Sequence, residues 1–474
     1  MISRSSIQQL INQTEADYQK CWKTLSLLKD GPTSKLSAED VLDFQPTLAS
    51  AVFRLDEKYL ALSRERISLV TRRKSLSPNW LRLRLKTLAE YEEAIKEAAA
   101  LGRALGDSFA WIFYQNERDY LRKHFEHERV SHTPSGVGGQ GELEFIRKAR
   151  VFNNQLTIYH GTTTFLRIGD VSFIDLKTRK LAGIGELKTE KVGPKLLISL
   201  YVIWPEKYEE AVPLPTQPSK SQDERRLPDE MQARLNKQLR KMSSSFEVPE
   251  AAEKFEFRHD TYINELKEVA AGLEKSRAVF KQAGEGLLLI GWKSFRRKSL
   301  SSKLLGKSKA RLEKHFHGVE KQARRIMDMS QANTPTNTNG IFMGHLGLDI
   351  LPGTIPIFWW PVETEFLRKL FFREVAVTTL YNPAHLIRQI RALGFEVCLI
   401  DGGRRHRISK RIDNAELEMA GMEYYRSIVQ NHLIHEDFVL SIFSSMLDKI
   451  RRGEVKPNAR IDLDIQQQFG GPKR

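Results

Sequence analysis

The stretch FLRIGDVSFIDLKTRKLAGIGELKT, from Phe165 to Thr189, decides the fold of the region around it. Two segments of alternating apolar residues flank the polar sequence KTRK, which is the pattern of two antiparallel strands joined by a short turn. A turn centred near Thr178 places Asp170 opposite Glu186 or Leu187. The sequence therefore predicts a hairpin with acidic residues facing each other across it.

A lysine, Lys188, is predicted to lie beside the acids Asp170 and Glu186. Glu186 and Lys188 are two residues apart, so they share one face of their strand and can converge with Asp170. Carboxylates packed together raise one another's pKa unless a divalent cation lies between them. Oxygen ligands of this kind suit Mg²⁺ or Mn²⁺, and a nearby lysine can orient an attacking water. The arrangement favours phosphodiester hydrolysis.

The hairpin resembles that of the PD-(D/E)XK nuclease superfamily, which carries an acid on one strand and acid-any-lysine on the next. IGD ending at Asp170 and GELK with Glu186 and Lys188 carry the resemblance, although Ile168 and Gly169 stand where the motif has proline. The resemblance implies a restriction-endonuclease-like α/β core, a central mixed sheet flanked by helices. It also implies a magnesium-dependent nuclease. The activity we expect is that of a deoxyribonuclease, more often endonuclease than exonuclease, and a role in restriction or antiviral defence would follow the habits of that superfamily.

Two further site residues follow from the resemblance. On the helix ELEFIRKARVF, Glu142 projects to the apolar side and Glu144 to solvent, so Glu142 is expected to support the metal with Asp170 and Glu186. Gln238 is expected to contribute from a later helix. It borders an apolar stripe formed by Met231, Leu235, Leu239 and Met242.

Acid-any-lysine alone is a weak signal. The chain repeats it at Asp56 to Lys58, Asp175 to Lys177, Glu265 to Lys267 and Glu454 to Lys456. None of these has an acid on a neighbouring strand. The alternative interpretation of the hairpin itself is a solvated surface on which Lys188 pairs with Asp170 or Glu186.

The charge of the chain predicts a polyanionic partner. The 474 residues include 75 basic and 59 acidic ones, a net charge of +16. Charge alone does not choose among DNA, RNA and an acidic membrane surface. Together with the resemblance, nucleic acid, and DNA in particular, is the expected partner. The segment 293–314 is the strongest basic tract, and its candidate phosphate contacts are Lys293, Arg296, Arg297, Lys298 and Lys303. The alternatives are a solvated basic face and a non-catalytic nucleic-acid-binding or scaffold protein.

Changes in residue composition and hydrophobic periodicity along the sequence predict three regions. Residues 1–130 read as helical, 131–400 as the nuclease domain with its sheet continuing to about residue 400, and 401–474 as a helical extension. The helical regions are expected to mediate homo-oligomer or partner contacts. No apolar stretch suits a signal peptide or a membrane span, and two distant cysteines form no disulfide framework, so a cytoplasmic protein without a membrane partner is expected. The histidines near residue 124 read as a solvated helix end.

Overall fold

The computed structural model describes residues 1–31, 35–127, 136–152, 154–204, 229–246, 261–293, 299–305, 317–318, 321–323, 325, 342–346, 354–400, 405–412, 415–419 and 421–454. These residues form two compact units. The first comprises Met1–Glu250 with Ser299–Leu305, and the second Ala251–Lys298 with Gly306–Arg474. The boundary between them lies near residue 250, whereas the sequence analysis expected boundaries at 130 and 400. None of the described helices is long and apolar enough to cross a bilayer.

The first unit begins with three long helices. Ser37 and Asp40 form a capping box that fixes the start of the second one, because each side chain bonds the other residue's backbone N–H. The helices of this unit are α1 (Arg4–Asp30), α2 (Ala38–Thr71), α3 (Pro78–Tyr114), α4 (Arg118–Phe125), α5 (Val137–Lys148), α6 (Asp229–Phe246) and α8 (Leu300–Leu304).

A five-stranded antiparallel sheet follows the helices. Its strands lie in the order of the sequence: β1 (Val151–Phe152), β2 (Gln155–Tyr159), β3 (Val171–Asp175), β4 (Leu181–Val192) and β5 (Lys195–Ile203). Strands β2 to β5 form a meander, and β1 adds one short strand at the edge. Short turns join most neighbours, which is why they pair antiparallel.

The long helices belong to the same unit as this sheet, because their polar side chains bond its strands and loops. Gln45 donates to Thr157 O at 2.5 Å and accepts from Tyr159 N at 2.7 Å. Asp107 accepts from the backbone and hydroxyl of Thr164 at 2.6 and 2.7 Å. A separate N-terminal domain would leave these buried groups unsatisfied. The helical region is therefore part of the scaffold that carries the hairpin.

The second unit has its own sheets. Its helices are α7 (Ile263–Lys275), α9 (Thr364–Phe371), α10 (Ala384–Ala392), α11 (Met422–His432) and α12 (Glu436–Arg451). Its strands are β6 (Ala278–Gln282), β7 (Leu287–Lys293), β8 (Phe342–His345), β9 (Val375–Tyr381), β10 (Glu396–Ile400), β11 (Arg405–Ile412) and β12 (Ala415–Met419). They form one sheet in the order β6-β7-β9-β8 and another in the order β10-β11-β12.

The mixed α/β class is confirmed, as three antiparallel sheets flanked by helices. The expectation of one mixed sheet continuing to about residue 400 is wrong. The strand GLLLIGW is β7, and it pairs with β6 and β9 in a sheet that the hairpin does not join. Buried strands carry the same apolar signature whichever sheet they enter, so sequence could not assign them. The region after residue 401 also contains β11 and β12 before its two helices.

Candidate active site

The β3–β4 hairpin has the predicted register. Val171 pairs with Gly185, and Asp170 N donates to Gly185 O at 2.8 Å, which places Asp170 opposite Glu186 at the end of the ladder. One carboxylate oxygen of Asp170 accepts from Leu187 N at 2.7 Å. The hairpin therefore brings the two acids of the motif together and fixes one of them through a backbone N–H.

Lys188 is held between two partners. Its Nζ donates to Glu186 Oε1 at 2.5 Å and to Gln238 Oε1 at 2.9 Å. Glu186 is only 3% exposed, and the lysine side chain is 24% exposed, so the ammonium group lies at the border between core and solvent. Gln238 of α6, which was predicted to join the site, is thus in direct contact with Lys188.

Helix α5 supplies Glu142. Its neighbour Gly141 packs against Thr189, where any larger residue would collide with the threonine side chain, so α5 approaches β4 closely. Glu142 is buried, and Tyr159 OH donates to its Oε2 at 2.5 Å. Glu144 is exposed on the other side of the helix and pairs with Lys148. The two glutamates therefore occupy the faces that helical spacing predicted.

Burial and neighbouring charge disturb the ionisation of two carboxyl groups of the site, those of Asp170 and Glu142. Burial raises the pKa of Asp170 well above its usual value, and Glu186 and Glu142 raise it further. Burial raises the pKa of Glu142 to about 7; the hydrogen bond from Tyr159 opposes this shift, and the charge of Glu186 adds to it. Tyr159 has a pKa well above its usual value, from burial and the neighbouring Glu142, so it remains a donor at neutral pH. If all three carboxyl groups were ionised, the site would hold more negative charge than Lys188 balances.

The donor set fits a hard divalent cation. Within the described part of the chain, no three His, Cys, Asp or Glu side chains stand close enough to form a ready-made metal-binding group. Mg²⁺, however, is commonly bound through one or two carboxylates and keeps several of its waters. Asp170 and Glu186 supply that number, and a cation beside them would favour the ionised form of Asp170, which burial disfavours.

Two buried histidines that sequence reasoning did not assign to the site hold the segment before Asp170. His124 Nδ1 accepts from Arg167 N at 2.8 Å and from Ile168 N at 3.1 Å. His160 Nδ1 lies 3.0 Å from Gly169 O, and its backbone N donates to Asp170 O at 2.9 Å. The expectation of a solvated helix end at His124 is wrong, because this side chain is fully buried.

Both histidines act as neutral rings. Burial lowers the pKa of His160 to about 4 and that of His124 well below its usual value. A neutral His160 carries one proton, and the carbonyl of Gly169 requires it on Nδ1. Nε2 therefore accepts from Ser172 Oγ at 2.5 Å, and Ser172 in turn accepts from Tyr114 OH. This chain fixes the turn from which Asp170 projects.

Two of the predicted phosphate contacts fall on described residues, and these two belong to different units. Lys293 ends β7 in the second unit, where its Nζ donates to Glu274 O at 3.3 Å. Lys303 lies in α8 of the first unit and is only 7% exposed, so it presents neither the open phosphate contact that was predicted nor the alternative, a solvated cation. Arg296, Arg297 and Lys298 lie outside the described residues.

Comparison with known proteins finds no family model that matches the chain, no similar curated protein and no similar solved structure. The geometry of the hairpin and its surroundings is therefore the basis for any functional argument.

Proposed function

We propose that the chain is a metal-dependent nuclease that hydrolyses phosphodiester bonds and has DNA as its substrate. The observation that carries the proposal is the meeting of Asp170, Glu186, Lys188 and Gln238 at one place. The hairpin brings the first three together, and Gln238 comes from a helix more than forty residues further along the chain. A solvated ion pair would need neither this burial nor the contact with Gln238.

Each residue has a role that follows from its position. Asp170 and Glu186 would hold Mg²⁺ or Mn²⁺, with Glu142 supporting the ion directly or through water. When bound, the ion polarises the scissile phosphate and lowers the pKa of a water. Lys188 orients that water and offsets developing negative charge, and Gln238 holds the ammonium group in place.

The ionisation and position of the carboxyl groups determine when the site can bind a cation. Asp170 must be ionised to bind a cation, and its raised pKa makes cation binding and proton release two parts of one equilibrium. Tyr159 keeps Glu142 in a fixed orientation through its hydrogen bond. The neutral His160 ring fixes the backbone of Gly169, so that Asp170 meets Glu186 at a constant position.

The test is cleavage of linear and closed circular DNA by the purified full chain with Mg²⁺, Mn²⁺ or a chelator. Lys188→Ala should abolish cutting and keep DNA binding. The matched control is Lys267→Ala, which removes the exposed lysine of another acid-any-lysine sequence, on α7, and should cut normally. Cutting by Lys188→Ala would overturn the assignment. Salt-sensitive binding without any cutting would favour the alternative, a non-catalytic nucleic-acid-binding protein.

A further inference from the structure

Helix α6 presents a basic face next to the candidate active site. Between Met231 and Phe246 its sequence contains four basic residues and no acidic one. Lys237, Arg240 and Lys241 are exposed. Leu235 and Met242 are buried, at 1% and 0% exposure, and they attach the opposite face of α6 to the first unit. The cations therefore lie on the solvent side of a helix that is fixed in position.

Helical geometry relates this face to Gln238. At about 100° per residue, Lys241 lies about 60° from Gln238 around the helix and Lys237 about 100°, both on the same side. Arg240 continues the face beyond them. Gln238 thus lies at the border between the buried stripe and the basic face. Because Gln238 contacts Lys188 Nζ at 2.9 Å, the basic face begins where the candidate site opens to solvent.

No acidic side chain among the described residues forms an ion pair with Lys237, Arg240 or Lys241. An open concavity lies against the same face, lined by Ala233, Asn236, Lys237, Arg240, Lys241 and Ser244. Surface cations commonly pair with nearby acids. A face that presents three cations, with the hydroxyl of Ser244 and the amide of Asn236 beside them, is therefore complementary to a row of anions.

The size of the face fits a nucleic-acid strand. Lys237 to Ser244 spans seven residues, or about 10 Å of helix at about 1.5 Å per residue. Consecutive phosphates of one strand of duplex DNA rise about 3.4 Å along its axis and are also displaced around it, so a face of this length can meet two or three of them. Lysine and arginine are the usual contacts to such phosphates.

We infer that the Lys237, Arg240 and Lys241 face of α6 binds the DNA backbone next to the scissile phosphate and delivers that phosphate to Lys188. The inference rests on the proposed function for its location beside a catalytic site. DNA binding by the face can be measured without cleavage, so the two ideas can fail separately.

The first experiment measures duplex DNA binding by the full chain in the presence of a chelator, at several salt concentrations. Replacing Lys237, Arg240 and Lys241 by glutamine should raise Kd at least about tenfold at 0.1 M salt. It should also reduce the slope of log K against log salt by about 3, or about 1 for each lost phosphate contact. The matched control neutralises three exposed cations of α1, Arg4, Lys20 and Lys23, and should change Kd less than about threefold.

The second experiment follows cleavage at subsaturating substrate. The α6 variant should lose kcat/KM on long duplex DNA through a higher KM, with kcat retained within a few-fold. Hydrolysis of bis(p-nitrophenyl) phosphate, which is too small to extend from the site to the basic face of α6, should not change. Equal losses on both substrates would assign the cations to chemistry and overturn the inference.

The binding result decides the inference even if no cleavage occurs. An unchanged Kd and salt slope in the α6 variant would overturn it, as would an equal loss in the α1 control or the absence of DNA binding by the wild type. Absence of cleavage by a wild type that binds through α6 would contradict the proposed function alone.

Discussion

Replacing Glu142 by glutamine should make the metal-free protein more stable above neutral pH. Folding raises the pKa of this carboxyl from an ordinary 4.5 to about 7, chiefly through burial. Because folding raises this pKa, the protonated carboxyl makes its full contribution to the stability of the folded state below pH 4.5. This contribution is lost as pH rises through 7. The shift of about 2.5 units corresponds to about 3 kcal/mol at about 1.4 kcal/mol per unit. Glutamine stays neutral and avoids this loss.

Urea unfolding in chelator at pH 5, 6, 7 and 8 measures the effect. The difference in unfolding free energy between Glu142→Gln and wild type should grow with pH, up to about 3 kcal/mol in favour of the variant at pH 8. Glutamine can still accept the hydrogen bond from Tyr159, so packing should be preserved. Glu144→Gln, on the exposed face of the same helix, is the matched control and should show no such trend.

Added Mg²⁺ should reverse the comparison. A cation at the site compensates the ionised carboxylates of the wild type, so its unfolding free energy should rise with Mg²⁺ at pH 8 more than that of Glu142→Gln. The reasoning is refuted if Glu142→Gln is less stable than wild type at pH 8 in chelator, or if the difference between them does not vary with pH.

Three further substitutions test the neighbours of the carboxylates. Tyr159→Phe removes a hydrogen bond that lowers the pKa of Glu142, so the acidic limb of the cleavage pH profile should move to higher pH; an unmoved limb would contradict this. Gln238→Met leaves Lys188 without its second partner, and should lower kcat about tenfold with DNA Kd unchanged; an unchanged kcat would remove Gln238 from the site. His160→Ala should lower kcat equally at every pH from 6 to 8, because this ring is neutral throughout that range, and a changed profile would contradict the positioning role.

Local patterns were sufficient to predict the site hairpin and its two helices. The position of the turn near Thr178 predicted the register to within one residue, and the structure has the register that pairs Val171 with Gly185. Helical spacing placed Glu142 inside and Glu144 outside. Both patterns repeat over short distances in the sequence, where periodicity is informative.

Long-range packing could not be predicted in the same way. Nothing near His124 in the sequence shows that its ring accepts two backbone N–H groups from residues more than forty positions away. Lys303 looks like one cation in a basic tract, yet its short helix packs in the first unit while Lys293 belongs to the second. Burial of this kind depends on tertiary contacts that periodicity does not encode.

The most direct test of the central claim is a calorimetric titration of the purified protein with Mn²⁺ at pH 7.5. The wild type should bind the ion and release protons, because Asp170 must ionise to accept it. Asp170→Asn should lose this binding, and Asp175→Asn, in the turn of the same hairpin, should retain it. Equal heats from all three proteins, or no binding by the wild type, would contradict a metal site at Asp170 and Glu186.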